Sequence, residues 1–217
     1  MVRWAHPERG LLTPSEFVPV AEESGLVVPV GEVILEEACR QAQRWRLDLQ
    51  VPSLAVSVNL SARQLARPDL AETVEEVLRE TGLDPQCLSL DITETAYVRV
   101  LEEKSAALVR LKGLGVGVSI DDFGTGYSSL SYLKRLPADT LKIDRSFVGG
   151  LGEDAEDTAI VRMIIDLAHT LGMKVVAEGV EQWAQAALLA EMGCDLAQGH
   201  HFSRPLLPEE IPHFLAG

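Results

Sequence analysis

Cysteine is scarce in this sequence, with three residues in a chain of 217, and aromatic residues make up only 5%. Cys39, Cys87 and Cys194 lie far apart and follow no CxxC spacing. Since three cysteines cannot all pair, a small fold held together by disulfides is excluded. The cysteines are typical of buried small apolar residues in a reducing compartment.

Positive charge is also limited, because 19 Lys and Arg face 33 Asp and Glu, which gives a formal net charge of -14. A nucleic-acid polymer as partner is disfavoured, since a phosphate backbone is bound by a basic surface. A small phosphate ligand stays compatible with this charge, because metal ions can neutralise it locally.

Long apolar runs are missing as well. No segment approaches the roughly 20 apolar residues that a membrane-spanning helix needs, and no basic region followed by an apolar stretch marks the N-terminus as a signal peptide. We therefore expect a cytoplasmic chain without a membrane segment, or the cytoplasmic part of a longer protein.

What the chain does have is a regular alternation of strand-like and helix-like segments, in a length that suits one large domain over residues 1–217. Short β-prone runs recur along it. They are Leu54 to Leu60, Cys87 to Thr93, Gly115 to Asp121, Asp139 to Asp144, Met173 to Glu178 and Cys194 to Gln198. Such alternation predicts parallel strands joined by crossover helices.

Apolar residues between the strands recur at helical spacings of three and four. They are Val30, Val33, Ile34, Ala38, Ala42 and Trp45 in one segment, and Ile160, Ile164, Leu167 and Leu171 in another. We predict an α/β fold of the TIM-like (β/α)8 barrel type, with an open doubly wound sheet as the alternative. Such barrels take about 250 residues, and Val2 to Trp4 resembles the tail of a seventh strand, so we expect the chain to be truncated at its N-terminus.

Polar side chains close every one of the six predicted strands. They are Asn59, Asp91 with Glu94, Asp121 with Asp122, Asp144 after Lys142, Glu178, and Gln198. Any one of them could simply cap the following helix. Together they favour a site, because the carboxyl ends of parallel strands share one rim. Carboxylates crowded there need cations, and oxygen donors suit a pair of Mg²⁺ or Mn²⁺ ions that would activate a water and clamp a phosphodiester.

Two neighbouring features support this interpretation. A glycine-rich loop, Asp122-Phe-Gly-Thr-Gly126, follows the paired acids directly and is expected to carry ligand contacts and to couple to a neighbouring subunit. Lys142 is the cation placed to hold a nucleophilic water or a phosphate oxygen. The five histidines follow no metal-binding spacing, and His200-His201 is interpreted as loop structure.

A series of ordered motifs covers nearly the whole chain. They are Arg3-Trp4 with His6-Pro7-Glu8-Arg9-Gly10, Ser57-Val58-Asn59-Leu60-Ser61, Asp91-Ile-Thr-Glu94, Asp121-Asp122-Phe-Gly-Thr-Gly126-Tyr-Ser-Ser-Leu130, Leu141-Lys-Ile-Asp144, Ala177-Glu-Gly-Val-Glu181, and Ala197-Gln198-Gly199 with Phe202 and Pro205. In these motifs the chain resembles the EAL-type cyclic di-GMP phosphodiesterases. The resemblance implies a modified TIM-like barrel that hydrolyses cyclic di-GMP (c-di-GMP) to linear pGpG with two Mg²⁺ or Mn²⁺ ions, in bacterial second-messenger signalling.

The resemblance also implies roles for single residues. Asn59, Asp91, Asp121, Asp122 and Glu178 match metal ligands, and Asp121 would bridge the two ions. Lys142 matches the residue that orients the attacking water, so the catalytic group would comprise Lys142, Glu178, Asp121 and Asp122. Glu94 and Glu181 match acids that steady the site loops, Arg3 a phosphate contact and Gln198 a guanine contact. The implied partners are c-di-GMP, a second copy bound through the loop and helix after Asp122, and an upstream sensory or cyclase domain.

The chain departs from the family pattern at two points. Met1 occupies the Leu position of the Glu-Ala-Leu signature, so the signature Glu, a metal ligand in the family, is absent from this sequence. Asp91 stands where the family usually has Glu, which shortens the reach by one methylene, about 1.5 Å. Because Mg²⁺ requires near-ideal geometry, a shorter ligand is expected to weaken metal binding or to admit a water.

Three functions are therefore compatible with the sequence. The first is a metal-dependent phosphodiesterase, the second a catalytically inactive c-di-GMP receptor, and the third an interaction module that has lost its ligand. The retained Asn59, Asp121, Asp122, Lys142 and Glu178 favour an enzymatic lineage over the third. The missing Glu keeps the second open.

Overall fold

The computed structural model describes residues 2–102, 106–125 and 137–216. These residues divide into two compact units, one with residues 2–89 and 106–116 and the other with residues 90–102, 117–125 and 137–216. The prediction of a single domain over residues 1–217 stays a prediction.

The first unit is mainly helical. Its elements are β1 (Trp4–His6), β2 (Gly10–Leu12), α1 (Pro14–Ser24), α2 (Val27–Asp48), β3 (Val56–Leu60), α3 (Ala62–Leu65), α4 (Leu70–Thr81), a 3₁₀ turn (Pro85–Cys87), the start of β4 (Leu88–Thr93), and α6 (Ala107–Gly113). Its core is formed where α2 packs on α4 and β3, with Leu35, Cys39 and Val74 almost fully buried.

The second unit alternates strands with helices. After the end of β4, its elements are α5 (Glu94–Glu102), β5 (Gly117–Phe123), β6 (Thr140–Ile143), α7 (Arg145–Gly149), α8 (Ala155–Thr170), β7 (Lys174–Glu178), α9 (Trp183–Glu191), β8 (Leu196–Gln198) and α10 (Ile211–Ala216). The two central strands β5 and β6 are almost wholly buried, as expected for strands covered on both faces.

Strands β3 to β8 form one six-stranded sheet in sequential order, and the pairs from β5 to β8 are parallel. All six strands that the sequence predicted are therefore present, with shorter boundaries at most ends. Sequential parallel order requires a crossover connection after each strand, and the alternation in the sequence anticipates it.

The expectation of a seventh strand ending at Trp4 is not met. Instead, β1 pairs antiparallel with β2 in a separate two-stranded sheet. The turn between them is held by His6, whose Nδ1 accepts hydrogen bonds from the backbone N–H groups of Glu8 and Arg9. A short local hairpin costs little loop-closure entropy, so it forms readily here.

One predicted helix, α2, is confirmed, but the residues that mark its periodicity do not all face the core. Val33 is 65% exposed and Val30 38%, whereas Leu35, Cys39 and Ala42 are buried. The spacing of four and then three between these buried residues is equally helical, so the register of the buried face was set by packing against neighbouring elements.

Candidate functional site

Three carboxylates from three strands of the second unit meet the ammonium of Lys142, which lies on a fourth strand. The ammonium Nζ of Lys142 lies 3.0 Å from Asp91 Oδ2, 3.0 Å from Asp121 Oδ1 and 2.5 Å from Glu178 Oε1. Asp91 belongs to β4, Asp121 to β5, Lys142 to β6 and Glu178 to β7. The structure thus brings together four of the residues that the sequence proposed, and we call these four the Lys142 cluster.

The strand register explains how the cluster forms. In the parallel pair β6–β7, Lys142 lies opposite Val176 and Ile143 opposite Ala177, so Glu178 is the next residue toward the carboxyl end. The register between β5 and β6 shifts between Ile120 and Phe123. The irregularity falls on Asp121 and Asp122, which is where bulges re-aim side chains.

Asp122 has a left-handed backbone conformation, with φ of 54°. Asp tolerates this region better than most residues, and such strain is concentrated at functional sites. The backbone N–H of Asp122 donates to Asp121 Oδ1 at 3.2 Å, an oxygen that Lys142 also contacts. The strained residue therefore supports the orientation of its neighbour in the cluster.

Burial and charge shift the acid–base behaviour of the cluster. Burial opposes the positive charge of Lys142, but Asp91, Asp121 and Glu178 outweigh it and hold the pKa of the ammonium above its ordinary value. Burial raises the pKa of Glu178 against the opposing effect of Lys142, and Asp121 and Asp91 raise it further. The pKa of Asp122 is raised too, first by burial and then by Asp121 and Asp144. One ammonium thus faces an excess of carboxylates, and the site favours additional positive charge.

One oxygen of the cluster has no partner. Within the described residues, Asp91 Oδ1 and the Tyr97 hydroxyl are the buried side-chain polar atoms without a hydrogen bond. Leaving a charged buried oxygen unpaired costs at least about 1–3 kcal/mol, and Asp91 is only 3% exposed. An unpaired carboxylate oxygen beside other carboxylates is the kind of atom that binds a hard divalent cation.

The donor set therefore fits Mg²⁺ or Mn²⁺ in its chemistry, since it consists of carboxylate oxygens. In the part of the chain that the structure describes, no group of three or more His, Cys, Asp or Glu side chains is arranged to hold a metal ion as it stands. The three carboxylates converge on the Lys142 ammonium instead. Metal binding would thus have to redirect these oxygens, and Asp91 Oδ1 is the one that no hydrogen bond holds.

Glu94 binds the backbone of the loop after β5, and its implied role of steadying that loop stays a prediction. Glu94 is 4% exposed, and its Oε2 accepts a hydrogen bond of 2.9 Å from the backbone N–H of Gly124. Gly124 has φ of +99°, and a Cβ atom there would lie 2.8 Å from the Phe147 ring. The loop is described as far as Thr125, so the remainder of the glycine-rich motif and the helix predicted after it lie outside the described residues.

The other predicted residues lie around this centre or in the other unit. Gln198 pairs directly with Glu178 in the β7–β8 register. Glu181 is exposed, three residues after Glu178. Asn59 lies at an exposed position of β3. Arg3 is half-buried, and its Nη1 donates a hydrogen bond to the Val2 carbonyl. The proposed roles of these four residues stay predictions.

The helix-cap interpretation is correct for one of the acids at the strand ends. Asp144 Oδ1 accepts a hydrogen bond of 2.9 Å from the backbone N–H of Ser146, so Asp144 caps α7.

The sequence analysis missed one buried polar residue, Gln185, which is 6% exposed in the first turn of α9. Its spacing of three from Gln182 is that of a helix-capping pair and could have identified it.

The fold and the site define an α/β protein with a carboxylate-rich centre at the carboxyl ends of parallel strands. The EAL domain family matches residues 1–205. The chain therefore belongs to the EAL domain family, and the fold class that the sequence predicted, of the TIM-barrel-like type, is confirmed.

Two proteins of Pseudomonas aeruginosa are similar to this chain in sequence. The chain is 47% identical over 211 residues to the bifunctional diguanylate cyclase/cyclic di-GMP phosphodiesterase MucR, covering 97% of this chain and 31% of MucR. It is 44% identical over 215 residues to the cyclic di-GMP phosphodiesterase NbdA, covering 99% of this chain and 27% of NbdA. The chain thus spans less than a third of the length of these relatives.

Solved structures of phosphodiesterase and EAL domains superpose closely on this chain. The c-di-GMP complex of the MucR phosphodiesterase superposes with a TM-score of 0.91 at 48% identity, covering 96% of this chain and 84% of that one. The EAL domain of DcpA from Mycobacterium smegmatis gives a TM-score of 0.81 at 44% identity, covering 86% of this chain and 83% of that one.

Within the described ranges, no helix is both long and apolar enough to span a membrane.

Proposed function

We propose that this chain hydrolyses c-di-GMP to linear pGpG with two Mg²⁺ or Mn²⁺ ions, as a cytoplasmic phosphodiesterase of second-messenger signalling. The observation that carries the proposal is the convergence of Asp91, Asp121 and Glu178 on Lys142, with a buried oxygen of Asp91 left unpaired. MucR and NbdA, which share this domain, bear the name of cyclic di-GMP phosphodiesterases.

The residues of the chain have distinct tasks in this proposal. Asp91, Asp121, Asp122 and Glu178 hold the ions, with Asn59 as a further ligand. Bound divalent ions supply positive charge for the phosphate oxygens and lower the pKa of a bound water. Lys142 donates hydrogen bonds to the attacking water, and its raised pKa keeps the ammonium charged throughout the neutral range. Gln198, opposite Glu178, contacts a guanine, and Arg3 a phosphate.

A second candidate function is a c-di-GMP receptor that does not turn its ligand over. The observation that favours it is Asp91, which is one methylene shorter than the usual Glu and already has one oxygen bound to Lys142. If Asp91 cannot reach an ion, water activation is lost, while the groups that contact the nucleotide are still present. With either function, we propose that the chain forms a homodimer through the segment after Asp122. We also propose that a sensory or cyclase domain lies upstream in the parent protein.

Hydrolysis and binding measured on the same preparation decide between the two. We expect pGpG to appear with Mg²⁺ or Mn²⁺ and to disappear with a chelator, as followed by chromatography. Calorimetry with c-di-GMP in Ca²⁺ measures binding without the need for turnover. Binding without any product in either metal would establish the receptor, and the lack of both on folded protein would contradict both candidates.

A further inference from the structure

The loop after Glu178, residues 179–182, is fixed to two neighbouring strand ends. Gly179 has φ of +74°, and a Cβ atom there would lie 2.4 Å from the Cβ atom of Arg145, which starts α7. The backbone N–H of Val180 donates to the Gln198 carbonyl at 3.0 Å, and its carbonyl accepts from His201 at 2.9 Å. The loop therefore contacts both the segment after β6 and the end of β8.

Gln185 joins the remaining part of this loop to α7. Its Oε1 accepts hydrogen bonds from the backbone N–H groups of Glu181 at 2.8 Å and Gln182 at 3.0 Å. Its Nε2 donates to the Val148 carbonyl at 3.0 Å, across 37 residues of sequence. One buried amide thus binds two backbone donors of the loop and one backbone acceptor of α7.

A helix cap alone does not account for Gln185. Capping explains why Oε1 accepts from the N–H groups of the two residues just before α9, and a Glu at this position would do the same. The bond from Nε2 to Val148 goes to a different helix, the one that directly follows the strand of Lys142. Unlike the carboxylate of Glu, the amide of Gln both accepts and donates at neutral pH.

We propose that Gln185 is a positioning residue for the active site, and that it holds Glu178 at Lys142 and Gln198 at its register. The inference rests on the proposed function. Gln185 fastens the loop on the carboxyl side of Glu178 to the helix on the carboxyl side of Lys142. The contact of 2.5 Å between Glu178 Oε1 and Lys142 Nζ depends on both backbones being held, and a shift of about 1 Å in such a site can cost 100-fold in rate.

Two variants test the two hydrogen-bonding functions of the amide. Gln185→Ala removes all three bonds, whereas Gln185→Glu keeps the acceptor for Glu181 and Gln182 and loses the donor to Val148. We expect kcat for c-di-GMP to fall at least about 10-fold in Gln185→Ala, with a smaller change in KM, and to fall by an intermediate amount in Gln185→Glu. Amide exchange at 181 and 182 should accelerate in Gln185→Ala and much less in Gln185→Glu.

Two controls separate positioning from a general loss of stability. Gln86→Ala changes the same residue type at an exposed position of the 3₁₀ turn Pro85–Cys87, outside this loop. Ile165→Val trims the core of α8, where Ile165 is 1% exposed, and should cost about 0.5–1.5 kcal/mol. Both should keep the kcat of the parent once turnover is divided by the folded fraction. A kcat in Gln185→Ala equal to that of Ile165→Val would overturn the proposal.

A readout that needs no turnover keeps this test apart from the proposed function. The ¹⁵Nζ resonance of Lys142, measured by NMR on the chain without ligand, reports the contact with Glu178 directly. We expect it to move in both Gln185 variants and to stay in place in both controls, even if the parent proves inactive on c-di-GMP. An unmoved resonance in both variants, on folded protein, would show that Gln185 is only a helix cap.

Discussion

At the scale of single residues, the environment of Lys142 is the most specific feature of this protein. Three carboxylate contacts stabilise the charged form of this buried ammonium and raise its pKa, so it acts as a hydrogen-bond donor and a fixed charge. Its contacts come from β4, β5 and β7.

Lys142→Ala is expected to lower kcat for c-di-GMP at least about 100-fold with little change in KM, because orientation of the attacking water matters most in the transition state. Asp122→Asn should lower kcat similarly, because activation of the attacking water would be lost. Steady-state kinetics at saturating Mg²⁺ measures both. Lys174→Ala, on the exposed start of β7, is the matched control and should turn over like the parent. Full activity in Lys142→Ala would remove the lysine from the mechanism.

Asp91→Glu lengthens the ligand by one methylene, about 1.5 Å, and should tighten Mg²⁺ binding and raise turnover several-fold when metal is limiting. The extra methylene enters a buried position and is expected to lower stability by about 1–3 kcal/mol. Mg²⁺ titration of the rate measures the first effect and thermal unfolding the second. Asp166→Glu, at an exposed position of α8, serves as the control. Weaker Mg²⁺ binding in Asp91→Glu would show that this site is built for the shorter acid.

At the scale of elements, the carboxyl ends of the strands differ in what their acids do. Asp144 caps α7, Glu94 binds the backbone of the loop after β5, and Glu178 contacts Lys142. All three follow the same pattern in the sequence, an acid at or just after a strand end. Their tasks differ because each side chain meets a different neighbour: the first turn of α7, the backbone of Gly124 or the ammonium of Lys142.

Gly124→Ala tests the loop that Glu94 supports. Alanine should destabilise the protein by about 1–3 kcal/mol, because φ of +99° is unfavourable for a residue with a Cβ atom and Phe147 lies in the way. Gly113→Ala, at the end of α6, meets nothing within 4 Å and should be neutral or stabilise by up to about 1 kcal/mol. Chemical unfolding of both variants gives the comparison. Equal stabilities would mean that the loop rearranges freely around Gly124.

At the scale of the whole molecule, metal binding should be linked to pH. The pKa values of Glu178 and Asp122 are raised in the folded chain, so these carboxyls take up protons earlier than exposed acids as the pH falls. Because ions bind the deprotonated groups, binding must release protons. We expect Mg²⁺ affinity to fall as the pH is lowered from about 7 toward 5. Calorimetry in buffers of different ionisation enthalpy measures the released protons, and an affinity independent of pH would contradict the prediction.

Removal of metal should also affect the stability of the whole chain. Saturating Mg²⁺ at 100 times its dissociation constant is expected to stabilise the fold by about 2.7 kcal/mol. Ca²⁺ should bind, yet support little turnover, since its larger and looser shell misplaces the water. Thermal unfolding with each ion, beside the hydrolysis assay, checks both statements. Turnover at the full rate after treatment with a chelator would refute the metal-dependent mechanism.

Much of the fold could be predicted from local patterns alone. Short apolar runs separated by helical spacing and turns predicted six strands with crossover helices, and all six are present. The acids at the strand ends indicated a site, and the motifs identified the family. These inferences succeed because each depends on residues close together in the chain, where periodicity and turn chemistry act.

Other features were decided only when the chain had folded. Lys142 and Asp91 are 51 residues apart, so no local pattern shows that three carboxylates meet one ammonium and that an oxygen of Asp91 stays unpaired. Gln185 and Val148 are joined across 37 residues. On α2, the buried face contains Leu35 and Cys39 and leaves Val33 exposed, because neighbouring elements, and not helical periodicity, choose the face. The sequence by itself determined which chemical groups end each strand; the tertiary structure determined which of them touch, since contact depends on strand register and packing.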